Sequence, residues 1–264
     1  MKAYVLPEST PGKLQHLTIF IVSILCGLAV WAWASGSLFP SILFPGPQAT
    51  LQEGVRMLES GSIIVDAAVS LARIVAGFTI GSAIGIVVGL LIGYFPMVRT
   101  AFNPYLQFFR FVPPIAWVSP AMIWFGVGET SKIFIIVYGT VFTVALSAVA
   151  GVADAHVNKI RAAQMFGATR WQIFRHVIIP STVSPILTGM RVSMGISFMT
   201  VIAAEMLAAE SGIGYLILNS RLWMATDKIF VGIFVLGCLG YGADRIFDLI
   251  IGRWARKYHP NPSR

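Results

Sequence analysis

Apolar residues fill this chain in runs long enough to cross a bilayer, and polar residues are confined to the breaks between the runs. About 20 helical residues cover the hydrocarbon core of a membrane. That length predicts six spans: residues 14–34, 66–94, a third ending at residue 125, 132–150, 186–207 and 229–250. The predicted fold class is an all-α polytopic membrane protein. Residues 14–251 make its transmembrane domain, flanked by an N-terminal segment, 1–13, and a basic tail, 252–264. Lys2 and Lys13 precede the first run, and Trp31 and Trp33 stand at its far end, where an aromatic belt belongs. Ala32-Trp33-Ala34 before Ser35 mimics a signal-peptide cleavage site, but the interfacial tryptophans suit an anchor, and the run is read as an uncleaved span. Residues 39–64 are rich in Pro and Gly and then amphipathic through Leu51, Val55 and Leu58, the pattern of an external surface helix. Residues 208–228 read as partly re-entrant or interfacial, with Gly212-Ile213-Gly214 as a turn.

The longest polar interruption is residues 152–185, and its pattern predicts two short helices. Asp154 or Asn158 can cap the first, because a short side-chain oxygen satisfies the unpaired amides of an opening turn. Gly167 sits where a left-handed residue ends it. Thr169 with Gln172 forms a capping box for the second helix, which is expected to stop near Pro180 because proline lacks the needed amide.

Arg161-Ala162-Ala163, Gly167 and Val177-Ile178-Ile179-Pro180 resemble the cytoplasmic loop signature of permease subunits from bacterial binding-protein-dependent ABC importers. That signature runs Glu-Ala-Ala, three residues, Gly, then an apolar run ending in Leu-Pro, and here Arg161 stands where Glu is usual. Trp124-Phe125-Gly126 with Gly128-Glu129-Thr130-Ser131-Lys132 is most similar to the taurine, sulfonate and nitrate branch, taurine permeases above all. The resemblance spans roughly residues 70–249. It implies that the loop is a coupling helix docking into a groove on an ATPase subunit. The implied interface is Asp154, Asn158, Arg161, Ala162, Ala163, Met165, Phe166, Gly167, Ala168 and Arg170. It also implies a homodimer with a second copy, two ATPase subunits holding ATP and Mg²⁺, and a periplasmic binding protein that delivers substrate. Without such a partner, the same stretch reads as an interfacial amphipathic helix pair.

Two further patterns lie inside the spans. Glycines recur at Gly77, Gly81, Gly85, Gly89 and Gly93, every fourth position. Four residues slightly exceed one turn, so they form a shallow groove winding slowly round the helix, and small residues let another helix backbone come close. The partner helix is not readable from the pattern. Pro113, Pro114 and Pro120 fall close together around Trp117 and Ser119. They free backbone carbonyls that cannot face lipid, so the stretch is either a broken helix lining an aqueous path or a kink buried in protein.

Composition agrees with a membrane protein: of 264 residues, 56% are hydrophobic and only 11% charged, with a mean hydropathy of +0.79. The net charge of +8 is not a nucleic-acid footprint, because the basic residues alternate between loops. One face collects Lys2, Lys13, Arg99, Arg110, Lys159, Arg161, Arg170, Arg175, Arg253, Arg256, Lys257 and Arg264, and the other only Arg56, Lys132, Arg221 and Lys228. That asymmetry places both termini in the cytoplasm, and the resemblance implies a bacterial inner membrane. Cys26 and Cys238 lie in apolar runs and the four histidines lack ligand spacing, so neither a disulfide framework nor a metal site is expected. Residues 126–132 superficially suggest a phosphate loop, but Ser131 and Ile133 replace the required Gly before and Ser or Thr after Lys132. The chain therefore carries no ATPase motif and is not expected to be an enzyme or to hold a cofactor of its own.

Arg73, Arg191 and Glu205 fall inside predicted spans, where each charge costs at least ~2.5 kcal/mol on insertion scales and needs a partner, water or an escape route. Arg73 and Glu205 sit at similar depth and can pair; Arg191 can reach the cytoplasmic interface. Together with Pro113, Pro114, Trp117 and Ser119 they are the candidates for a translocation path, with ion pairing or anchoring as the alternative. The expected function is the permease of an ATP-driven importer for a small anionic or zwitterionic solute, of the taurine or sulfonate class. Nitrate, bicarbonate or another small organic anion stands behind that class. An ion-coupled secondary transporter is the rival, although it calls for acids deep in the spans, and Glu205 lies near an end. A membrane-embedded enzyme would need a nucleophile with a base or a ligand cluster, and the sequence shows neither.

Overall fold

The structure is a computed structural model and describes residues 13–38, 40–155 and 157–254. The expectations for the N-terminal segment and the basic tail therefore fall almost wholly outside the described residues. Every regular element among the described residues is helical. Five stretches are long and apolar enough to cross a membrane: Leu17–Ser37, Ser62–Tyr94, Glu129–Ala153, Arg170–Ala208 and Thr226–Ile251. They belong to α1 (Lys13–Ser37), α3 (Ser62–Tyr94), α6 (Glu129–Ala153), a run ending in α9 (Ile179–Ala208), and α11 (Thr226–Trp254).

The third crossing expected from the sequence is not one helix. It consists of α4 (Pro96–Phe109) and a 3₁₀ turn, Pro114–Trp117, leading into α5 (Val118–Phe125), with a 93° bend between the halves. Six crossings result only if the bent pair counts as one. The cause is local: Pro113 and Pro114 lack amides, and a residue before proline is driven out of the helical region. Pro113 accordingly has φ −62° and ψ 139°. The break is tied to α6, where the Tyr138 hydroxyl donates to Phe109 O at 2.8 Å and to Val112 O at 3.4 Å, while Phe109 O also accepts the Val112 amide.

Helix α3 packs along α6 of the same chain, and the glycines set the contact. Each glycine at position i faces residue i + 59, from Gly77 on Ile136 through Gly85 on Val144 to Gly93 on Val152. The constant offset means the two helices run parallel and in register. A β-carbon at Gly85 would lie 2.8 Å from Val141 O and 2.9 Å from Val144 Cβ. On its other side α6 meets α9 in the antiparallel sense through small and hydroxyl residues. Thr140 and Ser197 hydrogen-bond at 3.0 Å, and Gly151 packs on Thr182 and Pro185. In an apolar surrounding such hydroxyls also bond their own helix; Thr140 donates to Ile136 O and Ser197 to Ser193 O.

The first span stands apart: none of its membrane window is buried against the rest of the chain. It is held at its C-terminal end, where the Trp31 indole donates to Pro45 O at 3.0 Å and stacks on Phe230. The amphipathic helix predicted after it is α2 (Pro47–Glu59), which buries Thr50 and Met57 and turns Leu51, Val55 and Leu58 away from the body.

Candidate coupling surface and translocation path

At one end of the bundle the predicted loop forms a small folded unit. Helix α7 spans Val157–Met165 and α8 spans Arg170–Ile173. Asp154 is the C-cap of α6 and Asn158 lies within α7, so neither holds the capping place expected of it. Gly167 has φ +77°, with Ala168 N–H donating to Ala163 O and Gly167 N–H to Gln164 O, the paired bonds of a Schellman stop. Thr169 and Gln172 form a complete capping box. The second helix does not stop at Pro180. A π turn, Phe174–Ile178, follows α8 directly and leads into α9, making one helical path. The wider turn absorbs the lost amide, Pro180 falls in the first turn of α9, and the Ser181 hydroxyl answers Val177 O at 2.7 Å.

The loop rests on an apolar floor. Ala155, Ile173 and Ile178 are buried there, with Tyr94, Val152, Ile160, Ala163, Ala168 and Phe174 packed around them. Tyr94, at the end of α3, lies 4.5 Å from the Phe174 ring and donates to Arg170 O at 3.2 Å. Of the two alanines expected to meet a partner, Ala163 faces this floor, while Ala162 is exposed. The outer stripe of α7 is Asn158, Arg161, Ala162 and Met165, one helical face. It ends in Met165 at 88% and Phe166 at 92% exposure, with Trp171 also exposed beyond the turn. Arg170 is exposed as well.

The path candidates separate into two groups. Pro113 and Ser119 are exposed, and Pro114 is half-buried against Gly139 of α6. Trp117 packs among Phe109, Trp124 and Tyr138, so the break at Pro113 is braced by rings on one side and open on the other. Next to it α9 exposes a stripe through Thr188, Val192, Gly195 and Met199. Arg191 is exposed on the same helix but held by Asp244, with bonds of 2.7 Å to both carboxylate oxygens, and by Asp248 at 2.8 Å.

Arg73 and Glu205 lie off this surface, buried at the opposite end of the bundle from the loop. The expected pair forms, Arg73 Nη1 to Glu205 Oε1 at 2.8 Å. Glu129, which falls between the predicted spans and is not among the predicted path residues, completes it. Arg73 Nε and Nη2 each donate to Glu129 at 2.6 Å, and Lys132 Nζ lies 3.0 Å from the same carboxylate. With Ser211 O and Oγ also accepting, all five guanidinium N–H groups have partners. A saturated, buried guanidinium has no donor left for a passing anion. The signal for Glu129 was available: it is an acid at the first residue of a span, three positions from a lysine that must also be neutralised.

Residues 81–256 match the family described as "Binding-protein-dependent transport system inner membrane component". The chain belongs to this family. Within the family it is similar to the taurine transport system permease protein TauC of Escherichia coli K12, 35% identical over 86% of this chain and 85% of that protein. It is also similar to the putative aliphatic sulfonates transport permease protein SsuC of the same strain, 34% identical over 95% and 97%. The nitrate import permease protein NrtB of Synechococcus elongatus is 29% identical over 89% and 88%. A chain of the MetNI methionine ABC transporter, solved in inward-facing conformations, shares the fold with a TM-score of 0.56 at 16% identity, covering 69% of this chain and 92% of its own. The chain is thus an ABC transporter permease of the taurine, sulfonate and nitrate type, and its helices are the membrane component.

Proposed function

We propose that this permease forms, as a homodimer, the translocation path of an ATP-driven importer in a bacterial inner membrane, with both termini in the cytoplasm. Two ATPase subunits carrying ATP and Mg²⁺ supply the energy, and a periplasmic binding protein delivers a small anionic or zwitterionic solute. The taurine and sulfonate class is the first reading, because TauC and SsuC match over nearly the whole chain. The observation that carries the proposal is the loop: two almost fully exposed apolar residues, Met165 and Phe166, stand on a unit that is itself packed against the ends of α3 and α6. Exposed apolar anchors on a rigid base suit a groove in a partner protein. A push on the loop reaches Tyr94 and Val152 directly, and the close α3–α6 seam carries it along the bundle. Every basic side chain described above inside the spans is already engaged by carboxylates, which fits selection of the solute largely by the binding protein.

Phe166→Asp tests the reading without touching the chain's own packing. It is expected to leave membrane yield unchanged while abolishing capture of the ATPase subunit and ATP-dependent uptake in vesicles. Full capture and full uptake would remove the docking surface from the proposal.

A further inference from the structure

The connection between α9 and α10 (Ile213–Leu222) is gripped atom by atom. Arg73 Nη1 donates to Ser211 O at 2.7 Å, and Gly212 N–H donates to Asp66 Oδ1 at 2.8 Å. Ile213 N–H donates to Ser70 Oγ at 2.9 Å, and Gly214 N–H to Glu205 Oε2 at 2.9 Å. Four consecutive residues of one segment thus meet four side chains from α3 and α9. The three amides are those of the N-cap and first two residues of α10, groups that no helix satisfies internally and that Gly212, lacking a side chain, cannot cap. Glu205 is fully buried and acts as the missing cap from another helix. Its charge faces the positive end of the α10 dipole on one side and Arg73 on the other. The fit is close: Gly212 has φ +112°, and a β-carbon there would lie 2.5 Å from the Glu205 carboxylate. Ser70 and Ile213 are also fully buried, so water does not substitute for these bonds.

We propose that Asp66, Ser70, Arg73 and Glu205 form a clasp that fixes α10 to the α3–α9 body, so that α10 moves with those helices throughout the transport cycle. They are positioning residues, and none of them is a ligand for the transported solute. An uncapped α10 would be free to open independently of the helices driven by the coupling loop, and ATP hydrolysis would then proceed without delivering solute. The functional half of this inference rests on the importer reading above; the structural half does not.

The test uses the whole importer, permease with ATPase subunits in lipid nanodiscs or vesicles, and the variants Ser70→Ala and Asp66→Ala. Asp66→Ala removes one grip; Ser70→Ala removes the Ile213 grip together with the hydroxyl's own bond to Glu205, and both leave the direct Arg73–Glu205 contact in place. Hydrogen exchange of the peptide covering residues 209–222 reads the clasp, and solute transported per ATP hydrolysed reads its consequence. Each variant is expected to speed exchange of the 212–214 amides on the order of tenfold, the effect of losing one buried hydrogen bond. Transport per ATP should fall severalfold, with ATPase-subunit capture and the solute concentration for half-maximal uptake unchanged. Exchange that stays slow in both variants would overturn the clasp. Faster exchange with an intact transport-to-ATP ratio would overturn its role in coupling. A shifted half-saturation with unchanged exchange would assign the cluster to the solute instead. If the wild-type importer shows no dependence on ATP, the importer reading fails, and the exchange measurement still judges the clasp by itself.

Discussion

Helices α3, α6 and α9 are joined at both ends, by opposite chemistries. At one end Arg73, Glu129, Glu205 and Lys132 contact one another through charged hydrogen bonds of 2.6–3.0 Å, with Arg73, Lys132 and Glu205 almost wholly buried. At the other end Tyr94, Val152 and Ile178 meet across an apolar floor, and the loop above them turns apolar residues to the outside. Buried charges are directional and tolerate little displacement, because each broken pair leaves a charge unpaired. Apolar contacts are non-directional and let a surface shift or accept a partner. The first end is therefore built to stay in one arrangement, and the second to receive something. Between them runs the glycine seam, where α3 and α6 touch backbone to side chain at five successive turns.

The largest expected effect breaks the ionic end. Arg73→Met leaves Glu205, with no exposure, facing only Ser70 and an amide, and should cost about 3–5 kcal/mol of stability. Thermal unfolding in detergent reads it as a marked loss of melting temperature and yield. Adding Glu205→Gln to Arg73→Met should recover part of the loss, because the unpaired charge disappears with it. No recovery would mean that shape rather than charge holds this end together.

How far each end was legible in the sequence follows from the same contrast. The loop was readable because its signals are local: Gly167 at a stop, Thr169 and Gln172 three residues apart, Met165 and Phe166 on a polar helix. The glycine spacing was equally plain, but spacing on one helix cannot name the helix it meets, and α6 emerged only in the fold. Arg73 and Glu205 could be matched by depth alone. Glu129 could not, because it stands between two predicted spans, inside the stretch that mimics a phosphate loop. Pro180 misled for a different reason: a π turn can host the missing amide, and no residue pattern announces one. The grip on residues 211–214 joins groups up to 146 positions apart through main-chain atoms, which carry no sequence signal at all.

A middle-sized effect is expected at the loop end from Gly167→Val. The backbone there has φ +77°, and a β-branched residue in that region costs roughly 1 kcal/mol or more. Open space surrounds the position, so the strain is conformational and not a clash. The spans should insert and the clasp end should hold, while α7 loses its aim and capture of the ATPase subunit weakens. Unchanged capture, with the loop's own hydrogen exchange also unchanged, would show that the turn is not what presents Met165 and Phe166.

The smallest effect sharpens the contrast where this chain departs from its family's pattern. Arg161 occupies the place at which the signature carries Glu, and it lies on the exposed face of α7, outside the floor that Ile160 and Ala163 help to build. An exposed single charge with no packing role changes stability by no more than about 0.5 kcal/mol when replaced. Arg161→Glu should therefore fold and insert as the parent does. It also restores the usual residue, so any change belongs to the docking surface: reversing a rim charge alters how association with the ATPase subunit depends on salt, with little change in the bound state. Measured as capture of the ATPase subunit across a salt series, the substitution should alter the slope and leave uptake in vesicles within about twofold. Loss of folding would place Arg161 in the loop's own structure, and the division between an outer docking face and an inner floor on α7 would have to be redrawn.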